Sequence, residues 1–155
     1  MERKAAHEAA LRFLGPTRNR LMLAIEGTLF IVGPMMPYRN LKACQTCHQL
    51  ALATYRATQS FPKVELYGLT SQMRRAAFSA AANIAEGAAK RGPKEFRRFL
   101  DISLGSLSEI SYAILFAKEL GYLSEADWKE LDKLRDDAGK ITWGLYRLIC
   151  SKDKG

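Results

Sequence analysis

A chain of 155 residues with 48% hydrophobic and 26% charged residues can bury one substantial core, which excludes a disordered protein and makes a single folded domain the expectation. The formal net charge of +8 is unevenly placed: residues 38–98 hold eleven Lys or Arg against three Asp or Glu, residues 99–155 eight against ten, and residues 1–37 carry the remaining +2. One side or end of the fold is therefore expected to be basic and suited to a polyanion, although lysine and arginine also serve simply to keep a bundle soluble.

The chain opens with MERKAAHEAALRFLGP, in which Ala5, Ala9, Leu11 and Phe13 suggest a short helix ending at Gly15 and Pro16. LMLAIEGTLFIVG follows at 21–33. It is thirteen residues long and contains Glu26, too short to cross the roughly 30 Å of bilayer hydrocarbon. Arg18 and Arg20 imitate the charged start of a signal peptide, but they lie far from Met1, and Gly33-Pro34 is a poor cleavage site. A cytoplasmic protein with no membrane partner is expected.

Asn40 is a candidate cap for a first helix over about 41–59, with Leu41, Cys44, His48, Ala51, Tyr55 and Thr58 along one face. Phe61-Pro62 ends it, since proline disfavours helical dihedrals in the residue before it. Inside this helix CQTCH, Cys44 to His48, matches the C-x-x-C-H pattern of covalent haem attachment. The context opposes haem, because attachment takes place outside the cytoplasm and the helix needs that face for its core. Thiol redox chemistry or zinc are the other readings of the pair, since a thiolate near a helix N-terminus is stabilised by the helix dipole. Zinc would have only His48, the distant Cys150 and, in the extension, His7 as further soft ligands. Three cysteines without an export signal read as reduced thiols, so no cofactor and no metal are expected.

The stretch YGLTSQMRRAAFSAAANIAEGAAKRGPKEFRRFL, Tyr67 to Leu100, reads as a helical hairpin. Its first arm, about 70–86, has Thr70 as cap and Gly87 as a left-handed stop, with a small-volume face of Leu69, Met73, Ala76, Ala77, Ala80 and Ile84. Gly92-Pro93 restarts the chain, proline being tolerated in a first helical turn. The second arm, about 94–119, carries Phe96, Leu100, Ser103, Leu107, Ile110, Ile114 and Ala117 along its seam, and Gly121 stops it. Gly105 is expected to face a close neighbour, Arg74 or Arg75 to reach Glu109, and Asn83 and Glu86 to approach Lys94 and Arg97. These groups read as structural ties between two helices rather than as catalytic carboxylates. Ser124 caps the last helix, about 125–149, with Asp127 reaching back to it and Leu123 stapling to Trp128. Leu131, Leu134, Ala138, Ile141, Leu145 and Leu148 follow as its seam.

YGLTSQMRRAA, NIAEG, KEFRRFL and SLGSLSE, in this order and spacing, resemble the four-helix-bundle proteins encoded in bacterial 23S rRNA intervening sequences, a family similar in fold to the accessory variability determinant proteins of diversity-generating retroelements. The resemblance runs from about Tyr38 to Ile149. It implies a small cytoplasmic bundle, a homopentamer, nucleic-acid binding through a basic surface, and no catalytic residues. Met35 and Met36 stand just ahead of it, so translation is expected to begin there, with residues 1–34 dispensable.

The sequence thus predicts an all-α, antiparallel up-down four-helix bundle over 38–150, an N-terminal extension over 1–37 and a polar tail over 151–155. Enzyme signatures such as G-x-x-x-x-G-K-[ST], G-x-S-x-G and H-E-x-x-H are absent, as are the Glu-x-x-His pairs of di-iron bundles, and no enzymatic role is expected. Lys90, Arg91, Lys94, Arg97 and Arg98 are the candidate nucleic-acid contacts, with Arg74 and Arg75 beside them. The competing reading is an adaptor whose basic face docks a protein such as a reverse transcriptase. Phe99, Ile102, Tyr112 and Leu115, off the seam of the third helix, point to self-association.

Overall fold

The computed structural model of the chain describes residues 12–17, 20–25, 28–32 and 36–152. Two compact units are present, Met1–Pro37 and Tyr38–Gly155. In the first, three strands form an antiparallel sheet in the order β1-β2-β3: β1 Arg12–Thr17, β2 Arg20–Ile25 and β3 Thr28–Val32. The predicted helix ending at Gly15-Pro16 is therefore replaced by a strand over its described part, residues 1–11 lying outside the described residues. Pro16 fits β1 because that strand is an edge whose register shifts between Leu14 and Thr17, and proline, lacking an N–H, is accommodated at edges and bulges. The apolar run at 21–33 is two short strands paired from Leu21↔Val32 to Ile25↔Thr28.

The second unit is the all-α bundle: α1 Lys42–Ala57, α2 Leu69–Ala89, α3 Pro93–Glu119 and α4 Glu125–Lys152. Each helix packs on the next, and α4 closes back on α1. Leu50, Met73, Ile84, Leu100, Ile110 and Leu131 are fully buried at the centre. Among the described residues α3 alone is long and apolar enough to cross a bilayer by composition, and its buried residues, Leu100, Leu107, Ile110 and Ile114 among them, belong to the bundle core.

The helix ends follow local chemistry. At the end of α3, Tyr122 N donates to Ala117 O at 3.0 Å and Gly121 N to Lys118 O at 2.9 Å, with Gly121 at φ 73°. This is the paired 6→1 and 5→2 closure that a left-handed glycine permits. At the start of α4, Asp127 N donates to Ser124 Oγ at 3.0 Å, and Ser124 Oγ donates to Asp127 Oδ2 at 2.6 Å, as the capping pattern predicts. Two predicted caps are not used. Asn40 ends a short 3₁₀ turn over Pro37–Asn40, and Leu41 takes the cap position of α1 without a side-chain bond. Thr70 is buried inside the first turn of α2, where Glu65 Oε2 accepts from Leu69 N at 3.1 Å instead.

The buried face of α1 keeps Cys44, Ala51 and Thr58 of the predicted seam, with Leu41 half-buried, and widens to the residue before each seam position from Cys44 on. Ala43, Cys47, Leu50, Thr54 and Ala57 point inward, whereas His48 and Tyr55 are exposed. Burial of Thr54 and Thr58 is possible because each hydroxyl donates to a carbonyl four residues back, Leu50 O and Thr54 O, both at 2.8 Å. In α4, Leu131, Ala138, Thr142 and Ile149 are buried and Leu148 is exposed. A straight helix drifts about 20° per heptad, so a strict three-four count leaves the core, while 18 residues make five whole turns and bring Ile149 under Leu131.

The α2/α3 pair is the closest packed. Ser103 Oγ donates to Ala80 O at 2.7 Å, and Ser106 Oγ lies 2.9 Å from Ser79 Oγ. Gly87 does not end α2: it is buried within the helix, and a Cβ there would stand 2.6 Å from Phe99 Cβ and 2.8 Å from Phe96 Cδ2. The reversal falls to Gly92, at φ 87°. Gly105, expected to face a neighbour, is exposed with nothing within 4 Å of a Cβ. Phe99 is buried, not part of an outer patch. Gly87→Ala is therefore expected to destabilise the bundle by about 1–3 kcal/mol through overpacking, and Gly105→Ala to stabilise it by up to about 1 kcal/mol. Urea denaturation of both variants measures the two shifts, which should have opposite signs.

Candidate nucleic-acid interface

Five predicted cations lie on the α2/α3 turn and the first turns of α3. Lys90 is the C-cap of α2, Arg91 is in the turn, and Lys94, Arg97 and Arg98 lie on α3; Lys90, Arg91, Lys94 and Arg98 are exposed and Arg97 is half-buried. Lys90 Nζ sits 3.1 Å from Glu86 Oε1, and Arg98 Nε 3.3 Å from Glu95 Oε2. The same two cations flank one ring, Lys90 Nζ 5.3 Å and Arg98 Cζ 4.8 Å from the Phe99 centroid, which fixes their stems against the bundle end. Exposed pairs of this kind contribute only about 0.2–1 kcal/mol, so an incoming phosphate competes with Glu86 and Glu95 on favourable terms. Pro93 opens α3 and no side chain caps it, so its first-turn N–H groups and the positive end of its dipole lie beside the cations.

Arg74 and Arg75 are elsewhere. They lie sixteen and fifteen residues before Lys90 on one helical path, about 24 Å along the axis. Arg74 is half-buried: its Nε donates to Thr58 Oγ1 at 2.8 Å and its Cζ stands 4.9 Å above the Tyr55 ring, so it ties α2 to α1 rather than reaching Glu109. Arg75 is exposed, beside a shallow depression with Phe78, Asn83 and Glu86. Asn83 Nδ2 donates to Ser79 O at 2.8 Å, and Glu86 pairs with Lys90 rather than Lys94.

A second surface lies along α3 and α4. Tyr112, Leu115, Phe116, Trp143 and Leu148 are 69%, 50%, 42%, 52% and 53% exposed, and Tyr112 and Trp143 line an open groove of about 820 Å³ between the two helices. Ring pairs stiffen the patch, Tyr112 on Phe116 and Trp143 on Tyr146 at 6.2 and 5.3 Å between centroids. Leu148 was not legible in the sequence as a surface residue, because the helical drift along α4 turns it outward, whereas Trp143 lies off the predicted seam.

The CQTCH segment is committed inward at both sulfurs. Cys44 Sγ lies 3.7 Å from Ala81 O and Cys47 Sγ lies 3.7 Å from Thr142 Oγ1, whereas His48, like Gln45, faces solvent. Burial pushes the Cys44 thiol up, and it pushes Cys47 from 9.0 to about 11 despite the Thr142 contact. Both are held as neutral thiols, poor nucleophiles and poor metal ligands. Among the described residues no three His, Cys, Asp or Glu side chains converge as a metal site.

The class defined by these features is a four-helix bundle with a basic turn at one end and an apolar flank. A family model described as 23S rRNA-intervening sequence protein matches residues 39–144, and the chain belongs to that family. The fold is similar to the crystal structure of a protein of unknown function from the S23 ribosomal protein family of Bacteroides thetaiotaomicron, with a TM-score of 0.60 and 16% identity over 67% of this chain and 97% of that one. A search of the curated proteins finds no match.

The Cys47 shift carries a pH dependence. The unfolded thiol ionises near 9 and the folded one near 11, so the stability tied to the neutral thiol is fully present below pH 9 and is lost as pH rises from 9 to 11. In urea titrations at stepped pH, the parent should lose more stability across that window than Cys47→Ala. Iodoacetamide at pH 8 should label Cys150 before Cys44, and Cys44 before Cys47.

Proposed function

We propose that this bundle is a non-catalytic, self-associating protein that binds nucleic acid through the α2/α3 turn and the start of α3. The observation that carries the reading is the exposure of Lys90, Arg91, Lys94 and Arg98 around a turn fixed by Gly92-Pro93, beside the uncapped N-terminus of α3. Cations so spaced can follow a phosphate backbone, and free N–H groups at a helix start add donors for the same anion. Phe99 is buried and Phe96 is packed against the core, so neither ring of this turn is offered to a base for stacking. Binding is then electrostatic and poorly selective for sequence. Membership of a family named for a 23S rRNA intervening sequence supports RNA as the polyanion.

Replacing Arg91, Lys94, Arg97 and Arg98 together by glutamine should weaken binding to unrelated RNA and DNA sequences alike. Each lost phosphate contact should lower the log-log salt slope by roughly 0.7–0.9. Filter binding across a salt series measures both, with helicity as the folding control. A folded quadruple variant with the parent's affinity and slope would overturn the reading.

Self-association rests on the α3/α4 flank. Tyr112, Leu115, Phe116, Trp143 and Leu148 form an apolar surface of the kind that marks an interface. If it meets a different surface on the next subunit, the assembly closes as a ring, for which the family resemblance implies five subunits. A ring presents several basic turns to one strand, raising avidity. Tyr112→Glu with Trp143→Glu should reduce the light-scattering mass to that of one chain. A parent that is already monomeric at micromolar concentration would sink this part.

A further inference from the structure

Between α1 and α2 lies a second groove, of about 620 Å³, within the size range of small-molecule sites. Its floor is made by Ala81, Ala82 and Ala85 of α2, whose methyl groups fill little of the space beside α1, and by Cys44 of α1, 7% exposed. The Phe78 ring, 63% exposed, forms a wall. Arg39 and His48 stand at the groove, and no carboxylate lines it among the described residues. The backbone at Arg39 is fixed there, since Gln45 Nε2 donates to Arg39 O at 2.7 Å. An apolar trough with a ring on one side and only basic or neutral polar groups around it selects a flat apolar body bearing a negative charge.

We propose that this groove binds a small aromatic carboxylate or sulfonate, its ring between Phe78 and the alanine floor and its anionic group on Arg39. The site shares no residue with the basic turn, since none of Lys90, Arg91, Lys94, Arg97 and Arg98 lines the groove, whose residue on α2 nearest the turn is Ala85, five residues or about 7.5 Å of helix before Lys90. It therefore stands or falls independently of nucleic-acid binding. The Cys44 thiol takes no chemical part and serves as a reporter on the floor.

The test uses two dyes on the full chain, 8-anilinonaphthalene-1-sulfonate and its uncharged analogue N-phenyl-1-naphthylamine, read by fluorescence titration. The sulfonate should bind once per chain and slow iodoacetamide labelling of Cys44. Arg39→Gln, at an exposed position, should weaken the sulfonate about tenfold, the effect of one charge-assisted contact, and leave the neutral amine unchanged. Ala82→Leu, which fills the trough, should weaken both dyes, and the quadruple variant of the basic turn should weaken neither. Equal affinities for the parent, Arg39→Gln and Ala82→Leu would overturn the proposal. So would a fall in oligomer mass in Ala82→Leu, because the groove would then be occupied by a second copy.

Discussion

The hydroxyl of Ser103 donates across a helix pair to the carbonyl of Ala80, which is possible only where two backbones come unusually close. That approach rests on a run of small side chains, Ala76, Ala77 and Ala80, and on Gly87, whose missing Cβ leaves room for Phe99. With α2 and α3 fixed in this way, the turn between them has to be short, and Gly92 at positive φ followed by Pro93 makes it so. The position of the basic residues is thus a consequence of core packing. Lys90, Arg91 and Lys94 have no interior to enter, and Phe99 beneath them is buried by the same contact that closes the hairpin.

The other pairs are looser, and the two grooves occur there. Between α1 and α2 the small side chains of Ala81, Ala82 and Ala85 leave one groove, while between α3 and α4 Ser108, Ser111 and Gly139 line an open trench. Arg74 bridges α1 and α2 through Thr58 and Tyr55, and the opposite connections are tied by Phe61 on Tyr122, 5.5 Å between ring centroids. One tight pair and three looser ones give a bundle whose outer flanks differ in character, basic at the hairpin end and aromatic along α3 and α4.

Helix number, order and approximate limits were legible because apolar spacing and the Pro93, Gly121 and Ser124 signals agree. Azimuth was less so. In α1 two rotations of the pattern are nearly equivalent, and a core built on Cys47 and Thr54 becomes visible only once the threonine hydroxyls find carbonyls within their own helix. Gly87 was read as a stop because a glycine near a helix end usually is one; its role depends on Phe99, a partner twelve residues away that local rules do not see. The cation cluster at 90–98 was legible because it is local in sequence, whereas Arg74 was separated from it by helix length alone. The strands of the N-terminal unit were hidden because short apolar runs fit helix and strand equally well.

The connection from α1 to α2 carries Val64 and Tyr67, 84% and 91% exposed, and the basic turn lies at the other end of α2. A 21-residue helix is about 30 Å long, so these two extremities are held apart by a rigid strut. The exposed apolar tip and the cation cluster are therefore held at a separation set by the number of residues in α2. Lengthening α2 by one turn would change that distance by 5.4 Å, which makes the helix a molecular ruler.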